Sequence, residues 1–114
     1  SCALSRPGAR HSEGVRTFSL ELDGAVRWTS FSLWLSLLTQ MNGEGLLRFK
    51  ALLHVHGESL PVLVHAVGHA VYPAEMLDAW PDEGRGTRMV FIAQGWSDAF
   101  FAQVRDAARA LVTG

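Results

Sequence analysis

Gly43-Glu44-Gly45-Leu46-Leu47-Arg48-Phe49-Lys50-Ala51 reads as a helix stop that runs straight into a strand. Asn42-Gly43 supplies the left-handed residue on which helices end. Alternation then sets in at once and continues to His56. Successive side chains of a strand point to opposite faces. Leu47, Phe49, Ala51, Leu53 and Val55 therefore share one face, and Arg48, Lys50, Leu52, His54 and His56 share the other. A strand with this pattern has one face in a core and places two cations on the opposite one.

Upstream of the stop, Trp28 to Met41 carries Phe31, Trp34, Leu35 and Leu38 at helical spacing. Thr29 or Ser30 is the expected cap. Before it, Thr17 to Leu22 alternates, with Phe18, Leu20 and Leu22 facing inward, and Asp23-Gly24 closes the strand as a turn. Residues 1–14 hold Pro7, Gly8 and Gly14 among polar residues and read as a linker or tail, which leaves 15–114 as one domain.

Downstream, Gly57-Glu58-Ser59 is expected to turn a hairpin into a third strand, Pro61 to Tyr72. A long irregular connection runs from Pro73 to Gly86. Arg88 to Gln94 is the fourth strand, broken by Gly95. Ser97 caps a last helix that reaches about Val112, with Phe101, Val104, Ala108 and Leu111 as its stripe. Trp96 and Phe101 stand at the spacing of a hydrophobic staple. The order β-α-β-β-β-α predicts an α+β two-layer sandwich. Two helices on one face of a mainly antiparallel four-stranded sheet would use every apolar stripe.

A chain of 114 residues, 48% hydrophobic, suffices for one core. Its net charge of −1 and its ten scattered Lys and Arg residues make no basic stripe, so nucleic acid and membrane surfaces are not expected partners. The single cysteine, Cys2, cannot form an intrachain disulfide, which points to a reducing, cytoplasmic setting. No apolar run approaches the ~20 residues that span a bilayer.

No phosphate loop GxxxxGK[ST] and no GxGxxG stand in the sequence. The glutamates fall in unrelated turns, so no acid–base pair is visible. Ser97 and Asp98 are better read as a cap and a favourable first-turn charge than as part of a triad. The four tryptophans read as core or loop anchors. His54 and His56 share a face, and so do His65 and His69, four apart on one strand. These four are the candidate metal ligands. The hairpin register sets the pairs roughly 10 Å apart. Weak metal binding at most is expected, and a free-standing metal- or small-ligand-binding module is the alternative reading. The expected interaction face holds Arg48, Lys50, His54, His56, His65 and His69, with Leu52, Val67 and Val71 among its members.

Three blocks in this order, Gly43-Glu44-Gly45-Leu46-Leu47-Arg48-Phe49-Lys50-Ala51, Val64-His65-Ala66-Val67-Gly68-His69 and Trp80-Pro81 … Thr87-Arg88-Met89-Val90-Phe91-Ile92, resemble the C-terminal domain of CobW-type proteins over roughly residues 15–112. Ala51 stands where that family usually has Gly. The resemblance implies a non-catalytic piece of a GTPase involved in metal delivery or cobalamin synthesis. GTP, magnesium and a transition metal, zinc or cobalt, would belong to the parent protein. The expected partners are the parent's N-terminal GTPase domain, a metalloenzyme client or another copy of the chain. A first residue of Ser rather than Met fits a fragment of such a parent.

Overall fold

Alternation along the strands and a helical apolar period elsewhere produce a mixed fold. The computed structural model describes residues 14–42 and 45–112. In chain order these form β1 (Val15–Leu22), α1 (Trp28–Asn42), β2 (Leu46–Leu53), β3 (Val62–Val67), β4 (Ala70–Val71), β5 (Glu75–Met76), β6 (Thr87–Gln94) and α2 (Asp98–Arg109). A 3-10 turn at Ala110–Val112 follows. The tail, Cys2 and the Gly43-Glu44 part of the helix stop lie outside the described residues.

The sheet is antiparallel, in the order β1-β6-β2-β3, with β4 and β5 both on the far side of β3. β6 is the last strand in sequence, yet it sits between β1 and β2. Its inward side chains Met89, Phe91 and Ala93 thus occupy the centre of the core. The Phe91 ring lies 5.1 Å from Phe49 of β2. Trp34 of α1 meets it edge-on at 6.3 Å, and Phe101 of α2 does so at 5.5 Å. Because one ring meets both helices, both cover the same sheet face. Each such side chain taken out of water contributes about 1.5–3 kcal/mol.

α2 forms as its sequence dictates. The Ser97 hydroxyl accepts a hydrogen bond from the Phe100 N–H at 3.0 Å, Asp98 stands in the first turn and Arg109 in the last. Trp96 and Phe101 are both buried against Phe18 and Phe91, while the direct ring contact of Trp96 is with Phe100, at 4.8 Å. The Arg16–Asp98 pair, 2.6 Å and exposed, ties β1 to the same turn.

α1 begins at Trp28, so Thr29 and Ser30 lie in its first turn rather than at the cap. The reason is non-local. Val26 bridges Val55: its N–H donates to His54 O at 2.8 Å, and its carbonyl accepts from His56 N–H at 2.8 Å. That bridge pins the chain just before the helix. Phe31, Leu35 and Leu38 are buried as expected, and Trp34 is half-buried.

Three further expectations are corrected. Pro61 to Tyr72 is not one strand. The chain reverses at Gly68-His69, with Gly68 at φ 58°, and β4 folds back on β3, pairing Ala66 with Val71 and Val67 with Ala70. The Pro73–Gly86 connection contributes β5, which pairs with Val62 and Leu63. The sheet accordingly has six strands rather than four, two of them only two residues long. Lastly, Leu46 and not Leu47 faces the core. Leu46 pairs with Ala93 and Arg48 with Ile92, so Leu47 is the extra residue of a bulge. A bulge shifts alternation by one, which explains Leu46 at 0% exposure beside a half-buried Leu47. Gly45 permits the close entry, since a Cβ there would lie 2.7 Å from Trp96 Nε1.

Candidate functional site

The face of the sheet away from the helices has no layer over it among the described residues. Its side chains form rows set by register. In one row, Val90, Lys50 and His65 lie side by side on β6, β2 and β3. In the next, Ile92, Arg48 and Val67 do the same. Tyr72, just after β4, donates its backbone N–H to His65 O at 3.0 Å and sets its ring edge-on to the His65 imidazole at 4.9 Å. These residues line a hollow of about 630 Å³. Val67 and Val90, each about two-fifths exposed, form part of its apolar floor.

Several cations elsewhere in the fold have partners, among them Arg85, which lies over the Trp80 ring. Arg16 pairs with Asp98, Arg88 with Asp82, and Arg105 and Arg109 approach Asp106. Arg48 and Lys50 have neither a carboxylate partner nor a side-chain hydrogen bond among the described residues. Two unpaired cations thus stand in a mainly apolar hollow.

One end of this face is closed by the connection before β6. Arg88 donates to both carboxylate oxygens of Asp82, at 3.0 and 2.8 Å, and to Gly84 O at 2.7 Å. The Arg88 hydrogen bond, then that from the Gly84 N–H, holds the Asp82 carboxyl below its ordinary value, and Arg88 is raised in turn. Trp80 packs edge-on against His54 at 5.7 Å and donates its indole N–H to Ser59 O. Within the core beneath, the Thr87 hydroxyl accepts from the His54 N–H at 3.0 Å.

The six residues expected to share this face therefore separate. Arg48, Lys50 and His65 lie together. His54 lies at the closed end, under Trp80. His56 lies beside Arg27 to Ser30 at the start of α1. His69 lies on the helix side, where its Nδ1 is 2.8 Å from Thr39 O. A carbonyl only accepts, so Nδ1 carries the proton there. Val71, expected outward, likewise faces the helices, because the reversal at Gly68-His69 inverts the alternation. His65 and His69 thus lie on opposite sides of the sheet. The observed register pairs Lys50 with His65, which puts His54 four residues along β2, roughly 13 Å away. Among the described residues no group of three His, Cys, Asp or Glu converges.

Sequence reading missed Val90, Ile92 and Tyr72 as members of the face. The first two were legible, since Arg88, Val90 and Ile92 alternate with buried Met89, Phe91 and Ala93. Tyr72 was hidden by the unrecognised reversal.

Comparison with known proteins gives a consistent picture. The family model described as the cobalamin synthesis protein cobW C-terminal domain matches residues 15–110. Two solved structures resemble the chain: Zn(II)-bound YjiA GTPase from E. coli and a Zn(II)-bound triple mutant of YjiA GTPase. In each the TM-score is 0.76 and the identity 26%, with 88% of this chain covered. The chain spans only 30% of the length of those GTPases. No curated protein matches the sequence. No helix among the described residues is long and apolar enough to cross a membrane.

Proposed function

The chain belongs to the family of CobW C-terminal domains, and from that premise we propose that it is the non-catalytic docking domain of a GTPase that delivers a metal. The observation that carries this reading is the uncovered sheet face with Arg48 and Lys50 unpaired above an apolar floor. Both helices lie on the other face, which leaves this one open to a partner. A mixture of apolar surface and a few cations suits a protein partner, whereas a merely solvated face would carry more charge.

In this reading the partner is the GTPase part of the parent chain, or a metalloenzyme client. GTP and magnesium belong to that part, because no phosphate-cradling loop stands in this sequence. Zinc or cobalt is the cargo, zinc being supported by the Zn(II)-bound relatives, and the setting is cytoplasmic. The scattered histidines of this domain would take no direct part in holding the metal.

Hydrogen exchange tests the reading. Amides of β2, β3 and β6 should slow in the parent protein relative to the isolated chain. Arg48→Ala with Lys50→Ala should leave unfolding within about 0.5 kcal/mol, since exposed cations contribute little. The same pair should weaken docking about ten-fold. Identical exchange in the two proteins sinks the docking role, and an unfolded double variant would make the cations structural.

A further inference from the structure

β1 forms an eight-residue edge of the sheet, and its backbone phase can be read. Gly95 donates its N–H to Gly14 O at 2.8 Å, which makes Gly14–Gly95 a hydrogen-bonded pair. Bonded and non-bonded pairs alternate along an antiparallel ladder. The bonded pairs of β1 with β6 are therefore Arg16–Ala93, Phe18–Phe91, Leu20–Met89 and Leu22–Thr87. Val15, Thr17, Ser19 and Glu21 direct their N–H and C=O groups away from the sheet. No strand lies beyond them among the described residues.

Proteins ordinarily protect such an edge with proline, a bulge, charged side chains or very short strands. The opposite edge is protected in that way: β4 and β5 have two residues each, and Pro73 stands between them. β1 has eight residues, no proline, no glycine and an unbroken register, and its charged residues are Arg16 and Glu21. Its Arg16 side chain is drawn toward the helix side by Asp98.

We propose that β1 is a self-association edge, pairing antiparallel with β1 of a second copy of this chain to make one continuous sheet. One register satisfies every outward group. With Phe18 opposite the partner's Phe18, Thr17 faces the partner's Ser19 and Val15 faces the partner's Glu21. Together with their two-fold mates these bonded pairs form about eight hydrogen bonds. No like charges oppose one another: Arg16 faces the partner's Leu20, and Glu21 faces the partner's Val15. A two-fold stacking of the outer faces, by contrast, would set Arg48 and Lys50 near the same cations of the other copy. Edge pairing leaves both outer faces open and on the same side, so it is independent of the docking reading.

Sedimentation equilibrium on the 114-residue chain, from roughly 10 μM to 1 mM, tests this. The apparent mass should rise from one chain to two. Amides of Val15, Thr17, Ser19 and Glu21 should exchange more slowly as concentration rises, while those of Arg48 to Leu52 should not change. Ser19→Pro removes an outward N–H but no bond to β6, a position where edge strands accept proline. It should fold and associate at least ~10-fold more weakly. Thr17→Lys combined with Ser19→Lys sets lysines of the two copies opposite each other, should do the same, and decides the matter if the proline variant unfolds. A chain that keeps one mass at the top concentration overturns the proposal. So does a dimer that these variants, folded, leave at its original strength.

Discussion

Along β6, Met89, Phe91 and Ala93 are each 0% exposed, whereas Val90 between them is 40% exposed. All four are apolar, and nothing in their chemistry separates them. What separates them is which side of the pleat carries the helices. The covered face gathers the aromatic rings of β1, β2, β6 and both helices around Phe91. The other face keeps apolar side chains at the surface beside two cations without partners. An apolar residue on a strand therefore marks either a core or a contact surface, and only the neighbouring layer tells which.

The largest expected effect sets the two faces against each other at adjacent residues. Phe91→Ala should cost about 3–5 kcal/mol, by lost burial and by the cavity left among Phe49, Trp34 and Phe101. Val90→Ala should stay within about 0.5 kcal/mol in the isolated chain. Urea unfolding midpoints of the two variants measure the contrast. If Val90→Ala cost as much as Phe91→Ala, the outer face would already be covered in the free chain, and the contrast would break.

A smaller effect probes what holds the covering layer in place. Ser97→Ala removes the acceptor of the Phe100 N–H and should destabilise by about 1 kcal/mol. Ser97→Gly should recover most of this loss, a few tenths short of the parent, because it keeps the cap conformation. A loss that glycine did not recover would assign the effect to something other than the cap.

The smallest effect lies at the closed end of the outer face. The Asp82 carboxyl is depressed below 3.8 by its hydrogen bonds from Arg88 and the Gly84 N–H. A depressed carboxyl stabilises the fold above its unfolded value and loses that contribution as pH falls through the folded value. NMR titration of Asp82 should thus give a midpoint below 3.8, and Arg88→Gln should move it upward. A midpoint that ignored this substitution would detach the connection from the face. Both groups are at the surface, so stability at neutral pH should barely respond to Asp82→Asn.

Much of this was written locally in the chain. Ser97, Asp98 and the stripe Phe101, Val104 and Ala108 define α2 through backbone capping and helical period, which need no distant partner. Phe18, Leu20 and Leu22 define the inward side of β1 by pleat alone. Arg48, Lys50 and His65 were placed on one face by the same rule, and they are the part of the candidate site the sequence carried. The two-helix, antiparallel arrangement followed from the number of apolar stripes that had to meet.

Tertiary structure decided wherever pairing overruled alternation. The bulge at Leu47 arises because β2 must keep step with β6, and it hands the core position to Leu46. The reversal at Gly68-His69 lies inside a run apolar on both sides, so no period announces it. It exists because β4 pairs with β3 and because the His69 imidazole hydrogen-bonds to Thr39 O of α1. That reversal sends His69 and Val71 to the helix side and brings Tyr72 over His65. Local spacing specifies which side of its own strand a residue occupies. Which strands lie adjacent, and whether a face is covered, depend on contacts between residues far apart in sequence, and those alone separated the histidines and left Arg48 and Lys50 unpaired.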